Sequence, residues 1–397
     1  MSHAIAQLIA DKNIIVCVGA GGVGKTTASA VLGVAAAQMG RRALVLTVDP
    51  ARRLAQALGL QALDEHVQRI DVQKFSAQGC AVQVPLDVAM LDVKRTFDRV
   101  IGRYAPTPQA RDAILEHRFY KQASTALAGT QEYMAMERLY ESATGGDYDL
   151  VILDTPPSAH ALDFLDAPDR LVGLFDSRAF RLLLRPAGTV RHHPFRSGSV
   201  VMRGLSRFTG GDMFAHLLEF FGYLSETFDG FVARARQVQT LLRSPQTAFV
   251  LVSACDRAST EQALYLGERL GQLKMQVQAM IVNRVAPFAQ APATAGSRLE
   301  TALAAALDQF SRDGAGTGRD FAKESMVLSM VARSLAGLAC ADQQQLEAII
   351  ARTGQAWPIL AVPRTEQEPD NLAALAALAE QWRLDPAEPA TSERVKT

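Results

Sequence analysis

The sequence predicts an α/β fold: a doubly wound, mostly parallel sheet with an inserted helical subdomain. Three observations predict it. Continuously apolar runs of strand length, Asn13-Ile14-Ile15-Val16-Cys17-Val18 and Ala43-Leu44-Val45-Leu46-Thr47-Val48 among them, read as strands covered on both faces. Helix-period segments follow these runs, and a strand–helix–strand unit within residues 13–48 implies a parallel pair. A glycine-rich bend, Gly19-Ala20-Gly21-Gly22-Val23-Gly24, sits where the first strand gives way to the first long helix.

Taken in order, Ala4 to Ala10 form a short helix ahead of the first strand. Thr27 to Met39 form an alanine-rich helix stopped by Gly40, with Arg41 and Arg42 as cations at its negative end. After the second strand comes Asp49-Pro50. From Asp87 to Ala143 the pattern reads as helical, with Met90, Val93, Phe97, Val100 and Ile101 at three- and four-residue spacing, interrupted by Pro106 and Pro108. A helical piece, Tyr133 to Tyr140, leads to the turn Gly145-Gly146-Asp147 and the strand Leu150-Val151-Ile152-Leu153. Residues 157–245 read as mostly helical. Strands at 248–253 and 279–283 flank a helix from Thr260 to Leu273, and loops follow at 289–297 and 314–318. Helical segments continue to Thr353. A last strand, 357–362, precedes a helix from Asn371 to Arg383 and a polar tail, 386–397, expected to be disordered. The organisation expected is one domain over 1–397. Its α/β core comprises 13–85, 146–160, 246–288 and 355–383, and its helical subdomain 86–145 and 161–245.

Composition bounds the function. With 397 residues, 48% hydrophobic and 21% charged, the chain has ample material for a core, and its formal net charge is zero. A neutral chain offers no overall field for nucleic acid or an anionic membrane. Cys17, Cys80, Cys255 and Cys340 are widely separated and make no C-x-x-C pair, which argues against zinc and fits a reducing compartment. No basic n-region leads an apolar core at the N-terminus, and no run approaches the ~18 apolar residues of a membrane span. A cytoplasmic protein with no integral membrane segment is expected.

The chemistry is carried by strand ends. Gly19-Ala20-Gly21-Gly22-Val23-Gly24-Lys25-Thr26-Thr27 satisfies the pattern G-x-x-x-x-G-K-[ST] in its required strand–helix context. Glycines let successive backbone N–H groups converge on phosphate oxygens, and the helix N-terminus adds the positive end of its dipole. Lys25 is expected to reach the β- and γ-phosphates of ATP, and the Thr26 hydroxyl to bind Mg²⁺. Two further strand ends present carboxylates: Asp49, in Asp49-Pro50-Ala51-Arg52-Arg53, and Asp154, in Asp154-Thr155-Pro156-Pro157-Ser158. Either holds Mg²⁺, orients the attacking water, or only caps the helix that follows.

These motifs together resemble the family of the arsenite-pump ATPase ArsA and of the ATPase that targets tail-anchored membrane proteins. The resemblance rests on the P-loop, Val48-Asp49-Pro50-Ala51, and Asp154-Thr155-x-Pro157-x-x-His160-x-Leu162. Asn283 in Ile281-Val282-Asn283-Arg284 and Pro363 after the last strand add to it. It covers residues 13–285 and 355–383, while the helical parts match only in placement. It implies a Mg-ATP-dependent dimer in which Asp49 positions water, Asp154 begins a second switch, and Asn283 reads adenine, with Pro363 beside it. Three departures stand out. The family usually carries a lysine at the second P-loop position, where this chain has Ala20, so Arg52, Arg53 or a lysine-bearing paralogue in a heterodimer is expected to supply the missing cation. The C-x-x-C zinc clamp is absent. Only one half is present, and residues 88–245 contain no cysteine, which disfavours arsenite sensing.

Two helical stretches suggest partners. Met213 to Val232 carry Phe214, Leu217, Leu218, Phe220, Phe221, Leu224, Phe228 and Phe231, either core or a groove for an apolar client helix. Residues 178–211 hold Arg178, Arg181, Arg185, Arg191, Arg196, Arg203 and Arg207 and no acid, either a mobile solvated loop or a face for lipid headgroups or an acidic, membrane-associated partner. Met134 and Met136 read as core or as adaptable contacts. The expected function is an ATPase switch, a homodimer or a heterodimer, that captures or releases a protein client. The alternatives are a subunit energising anion export and an ATP-binding scaffold with negligible turnover.

Overall fold

The computed structural model describes residues 2–48, 52–61, 63, 66–117, 120, 130–156, 173, 228–286, 321–353, 356–365 and 369–384. Among them, eight strands form one sheet: β1 (Ile14–Gly19), β2 (Ala43–Thr47), β3 (Gln68–Ile70), β4 (Leu86–Met90), β5 (Leu150–Asp154), β6 (Thr247–Ala254), β7 (Val277–Val285) and β8 (Ile359–Pro363). Their order is β3-β4-β2-β5-β1-β6-β7-β8, and only the β3–β4 pair is antiparallel. The chain leaves β1 toward β2 and β4, returns through β5, and then crosses to β6. Ligands are therefore expected beyond the carboxyl ends of β1 and its neighbours, where the winding direction reverses.

The described helices are α1 (Ser2–Asp11), α2 (Lys25–Gln38), α3 (Arg52–Ala57), α4 (Val72–Ser76), α5 (Val93–Tyr104), α6 (Pro108–Glu116), α7 (Thr130–Thr144), α8 (Phe228–Leu242), α9 (Arg257–Gln272), α10 (Phe321–Thr353) and α11 (Leu372–Leu384). They cover both sheet faces, so the strands are apolar on both. Val45, Ile152 and Val250 join one core with residues of α1, α2, α3 and α11. Leu44, Leu153 and Phe249 join the other, with residues of α7, α8, α9 and α10. Met136 lies in that second core and Met134 in a third cluster, both fully buried, so the two methionines are core. The third cluster packs α5, α6, α7 and α8 around Phe231, with the Tyr104 ring 5.8 Å from it. Of the aromatic stripe at 213–232, residues 213–227 lie outside the described residues, as do the arginine stretch and the 386–397 tail.

Two expectations are corrected. Residues 86–90, read above as the start of a helical run, are the strand β4 beside β2. Its alternation was obscured by Asp87, a charged residue in mid-strand. That carboxylate is 5% exposed and accepts two hydrogen bonds from Arg69 of β3, at 2.9 and 3.0 Å, and one from the Tyr148 hydroxyl at 3.2 Å. Burying a charge requires such partners. The α/β core therefore takes in residues 86–90, and the helical part starts later than residue 86.

The second correction concerns Arg41 and Arg42. Helix α2 ends as its Gly40 predicted: Gly40 has φ 78°, its N–H donates to Ala37 O and that of Arg41 to Ala36 O, a Schellman pair. The arginine side chains serve other elements. Arg41 donates to the carbonyls of Ile9, Lys12 and Asp149, and Arg42 pairs with the Asp149 carboxylate at 2.8 Å. Those bonds hold α1 and the entry to β5 against the start of β2. Among the described residues, no helix is long and apolar enough to cross a membrane.

Candidate nucleotide-binding site

The loop after β1 is shaped by positions that exclude side chains. A Cβ on Gly19 would lie 2.0 Å from Val252 O of β6, and one on Gly24 would lie 2.3 Å from the Asn283 amide. Gly22 and Gly24 take φ values of 72° and 99°, the left-handed region that favours glycine. Gly24 is the N-cap of α2 and supplies no side-chain cap. The first-turn N–H groups of α2 are thus open to an anion, and the helix dipole favours one there. Lys25 is 7% exposed, and its ammonium donates to Gly19 O at 3.0 Å and Ala20 O at 2.8 Å. The loop carbonyls satisfy the cation locally, so it can exchange them for phosphate oxygens without first crossing solvent. Ala20 is itself buried, and Gly21 is exposed.

At the next strand end, Asp154 closes β5 between Thr47 of β2 and Cys17 of β1, its register partners. It is 3% exposed. Its Oδ2 accepts from Thr26 Oγ1 at 2.7 Å and from Thr47 Oγ1 at 3.2 Å, so the P-loop threonine and the strand-end carboxylate meet directly. A hydroxyl and a carboxylate side by side are the oxygen donors a small divalent cation takes. Thr155 Oγ1 donates to Cys17 O at 2.7 Å and fixes the chain as it leaves β5. Cys17 is fully buried, and burial pushes its thiol up to about 12, so it stays protonated and serves as packing.

Asn283 and Pro363 lie on the far side of the P-loop. Asn283 Nδ2 donates to Val23 O at 3.0 Å, tying β7 to the loop, and Asn283 Oδ1 accepts from the Arg284 N–H at 2.9 Å. Pro363 ends β8 opposite Val285. A cleft of about 650 Å³, within the size range of small-molecule sites, joins these places. Its wall includes Lys25, Thr26, Thr27, Asp154, Asn283 and Pro363. Asp49, Pro50 and Ala51 lie outside the described residues, as do the side chains of Arg52 and Arg53.

The structure adds residues that sequence reasoning passed over. Thr47 carried a signal, since it immediately precedes Val48-Asp49 at a strand end. Arg284 and Arg364, which also face the cleft, carried none beyond adjacency to Asn283 and Pro363. The backbone cradle, the buried Lys25 and the Thr26–Asp154 pair fit a nucleoside triphosphate with Mg²⁺: Lys25 and the α2 N-terminus would hold phosphate, Thr26 and Asp154 the metal.

Comparison with known proteins follows the same lines. A family model described as anion-transporting ATPase matches residues 12–300. A putative arsenical pump-driving ATPase of Prosthecochloris vibrioformis is 30% identical over 164 residues, 40% of this chain and 36% of that protein. ATPase GET3 of Malassezia globosa is 29% identical over 157 residues, 40% of this chain and 43% of that protein. ATPase ARSA2 of Chlamydomonas reinhardtii is 26% identical over 270 residues, 67% of this chain and 66% of that protein. The chain thus spans less than two thirds of the length of these relatives. The family match covers well over half of the chain and takes in the P-loop, Asp154 and Asn283: the chain belongs to the anion-transporting ATPase family.

Proposed function

We propose that this chain hydrolyses Mg-ATP and uses the cycle as a dimeric switch, capturing or releasing a protein client through its helical part. The observation that carries the reading is the 2.7 Å hydrogen bond from Thr26 to Asp154 beside the buried Lys25. Phosphoryl transfer asks mainly for positioning and charge stabilisation, and these groups supply both. Lys25 and the α2 N-terminus hold the phosphates, Thr26 and Asp154 hold Mg²⁺, Asp49 orients the attacking water, and Asn283 with Pro363 receives the base. Mg²⁺, when bound, neutralises the charge that develops on the phosphate oxygens. Thr47 and Thr155 keep the Asp154 carboxylate and its strand end fixed, so that the site need not reorganise during the reaction.

The names of the relatives favour a second reading, a subunit that energises anion export. Steady-state turnover separates these. We expect Mg²⁺-dependent ATP hydrolysis, with Asp49→Asn retaining ATP binding and losing roughly a hundredfold or more of the rate, the scale of one lost catalytic group. Unchanged turnover in Asp49→Asn would refute the role of that carboxylate. ATP binding without any turnover in the wild type would leave the scaffold reading in its place. Stimulation by arsenite or antimonite would favour export, and indifference to both would favour the client switch.

A further inference from the structure

The β7–β8 pair carries an irregularity that the site described so far does not use. Val282 pairs with Ala361, but the next pair is Val285 with Pro363, so β7 has one extra residue there. The bulge falls at Asn283 and Arg284, and Arg284 takes φ 60°. A long side chain in the left-handed region is uncommon and unfavourable, and such residues concentrate where a site needs a side chain aimed.

The bulge has two consequences. It turns the Asn283 amide inward onto Val23 O of the P-loop, and it leaves Arg284 exposed on the wall of the same cleft. The Arg284 N–H steadies the arrangement by donating to Asn283 Oδ1, and Arg364 N–H donates to Val285 O at 2.7 Å just beyond it. Among the described residues the Arg284 guanidinium makes no hydrogen bond or ion pair, and only its backbone N–H is engaged. A glycine would take this φ without steric cost, yet the chain places an arginine there.

Distance along the sheet says which part of a ligand this residue meets. Strands β5 and β7 are three positions apart, about 14 Å at the usual strand spacing. A nucleotide whose phosphates engage Lys25 and whose metal engages Asp154 extends its nucleoside end toward β7 and β8. We propose that Arg284, aimed by the bulge, is a base-binding residue whose planar guanidinium stacks on the base of the bound nucleotide. The proposal rests on the nucleotide reading of this cleft. An arginine suits the task because its flat, weakly hydrated cation stacks on aromatic faces, which a lysine ammonium does not reproduce.

The test is calorimetric titration of the full chain with ATP and, separately, with inorganic tripolyphosphate, which has no nucleoside. Arg284→Gly and Arg284→Ala are expected to weaken ATP binding about five- to tenfold, the scale of one cation–π contact. Tripolyphosphate affinity is expected to stay within about twofold in both variants, and Arg284→Lys to recover little of the ATP loss. Arg284→Gly is also expected to raise the melting temperature, because the left-handed position is relieved. That pairing of higher stability with weaker ATP binding separates a ligand contact from misfolding. Equal losses for ATP and tripolyphosphate would overturn the base contact in favour of a phosphate contact, and unchanged ATP affinity would overturn it outright. Failure of the wild type to bind either ligand would instead overturn the nucleotide reading on which the proposal rests.

Discussion

The P-loop and the helical layer each bury a cation, and they hold it by different means. Lys25 is held by two backbone carbonyls from a stretch six residues away or less. Arg234 of α8 is held by side chains: its Nε lies 3.0 Å from Glu137 Oε1 of α7, and its guanidinium carbon sits 4.2 Å over the Tyr140 ring. Around Glu137 stand Arg103 of α5 at 3.5 Å, Glu141 with its own arginine partners, and the buried Tyr133. Backbone carbonyls come with the chain and are not lost by mutation. A side-chain cluster of this kind exists only while α5, α7 and α8 stay in register. The first arrangement suits a cation that must change partners in each cycle, and the second suits one that locks a layer in place.

The largest effect expected from this contrast is at Lys25. Lys25→Ala should abolish ATP turnover within the sensitivity of a coupled assay and remove nucleotide-dependent dimer closure in sedimentation. Because its partners are carbonyls that α2 and water can re-satisfy, the melting temperature should move by only a few degrees. Closure that persisted unaltered would contradict the phosphate role. Arg234→Met should do the reverse. It removes the main partner of Glu137, which then takes up a proton rather than staying buried as an unpaired charge, and the lost pair costs about 1–3 kcal/mol. Chemical denaturation would read this as a lower midpoint, while ATP affinity of the folded protein should change by less than about threefold. A large loss of ATP affinity without destabilisation would show that the two regions are coupled rather than independent.

The same contrast explains what the sequence revealed. The elements of the candidate phosphate site carry local signals: the glycines, Lys25 and Thr26 sit together, Asp154 ends the apolar strand β5, and Asn283 follows the apolar run 279–282 within β7. Local chemistry writes itself into spacing, so the candidate residues of the site and most of the sheet could be read directly. Strand β4 could not, because Asp87 is neutralised by Arg69, a residue of β3 whose neighbour in space only the fold decides. The bulge at Arg284 is likewise a matter of register between β7 and β8, and neither strand shows it alone. The Glu137–Arg234–Arg103 cluster joins α5, α7 and α8 and has no spacing to betray it. Arg41, placed at the end of α2 by its sequence position, serves α1 for the same reason.

The smallest effect concerns protons, and its sign can be worked out. Burial holds the Glu137 carboxyl up at about 7, against the opposing pull of Arg234 and the added push of Glu141. In the unfolded chain it titrates near the ordinary glutamate value. Between these two limits the folded state binds the extra proton, so this group contributes most at or below about pH 4.5. Its contribution is lost as pH rises toward 7 and is constant above. Glu137→Gln cannot titrate and lacks this slope. The stability difference, wild type minus Glu137→Gln, should therefore fall by roughly 2 kcal/mol from pH 5 to pH 7.5, after allowance for the half-exposed Arg103. Urea midpoints measured in one buffer series at constant ionic strength would show it. A difference that rose with pH would mean that the ion pair with Arg234 outweighs burial, and that the helical layer is held by charge rather than in spite of it. A flat difference would mean that water reaches Glu137.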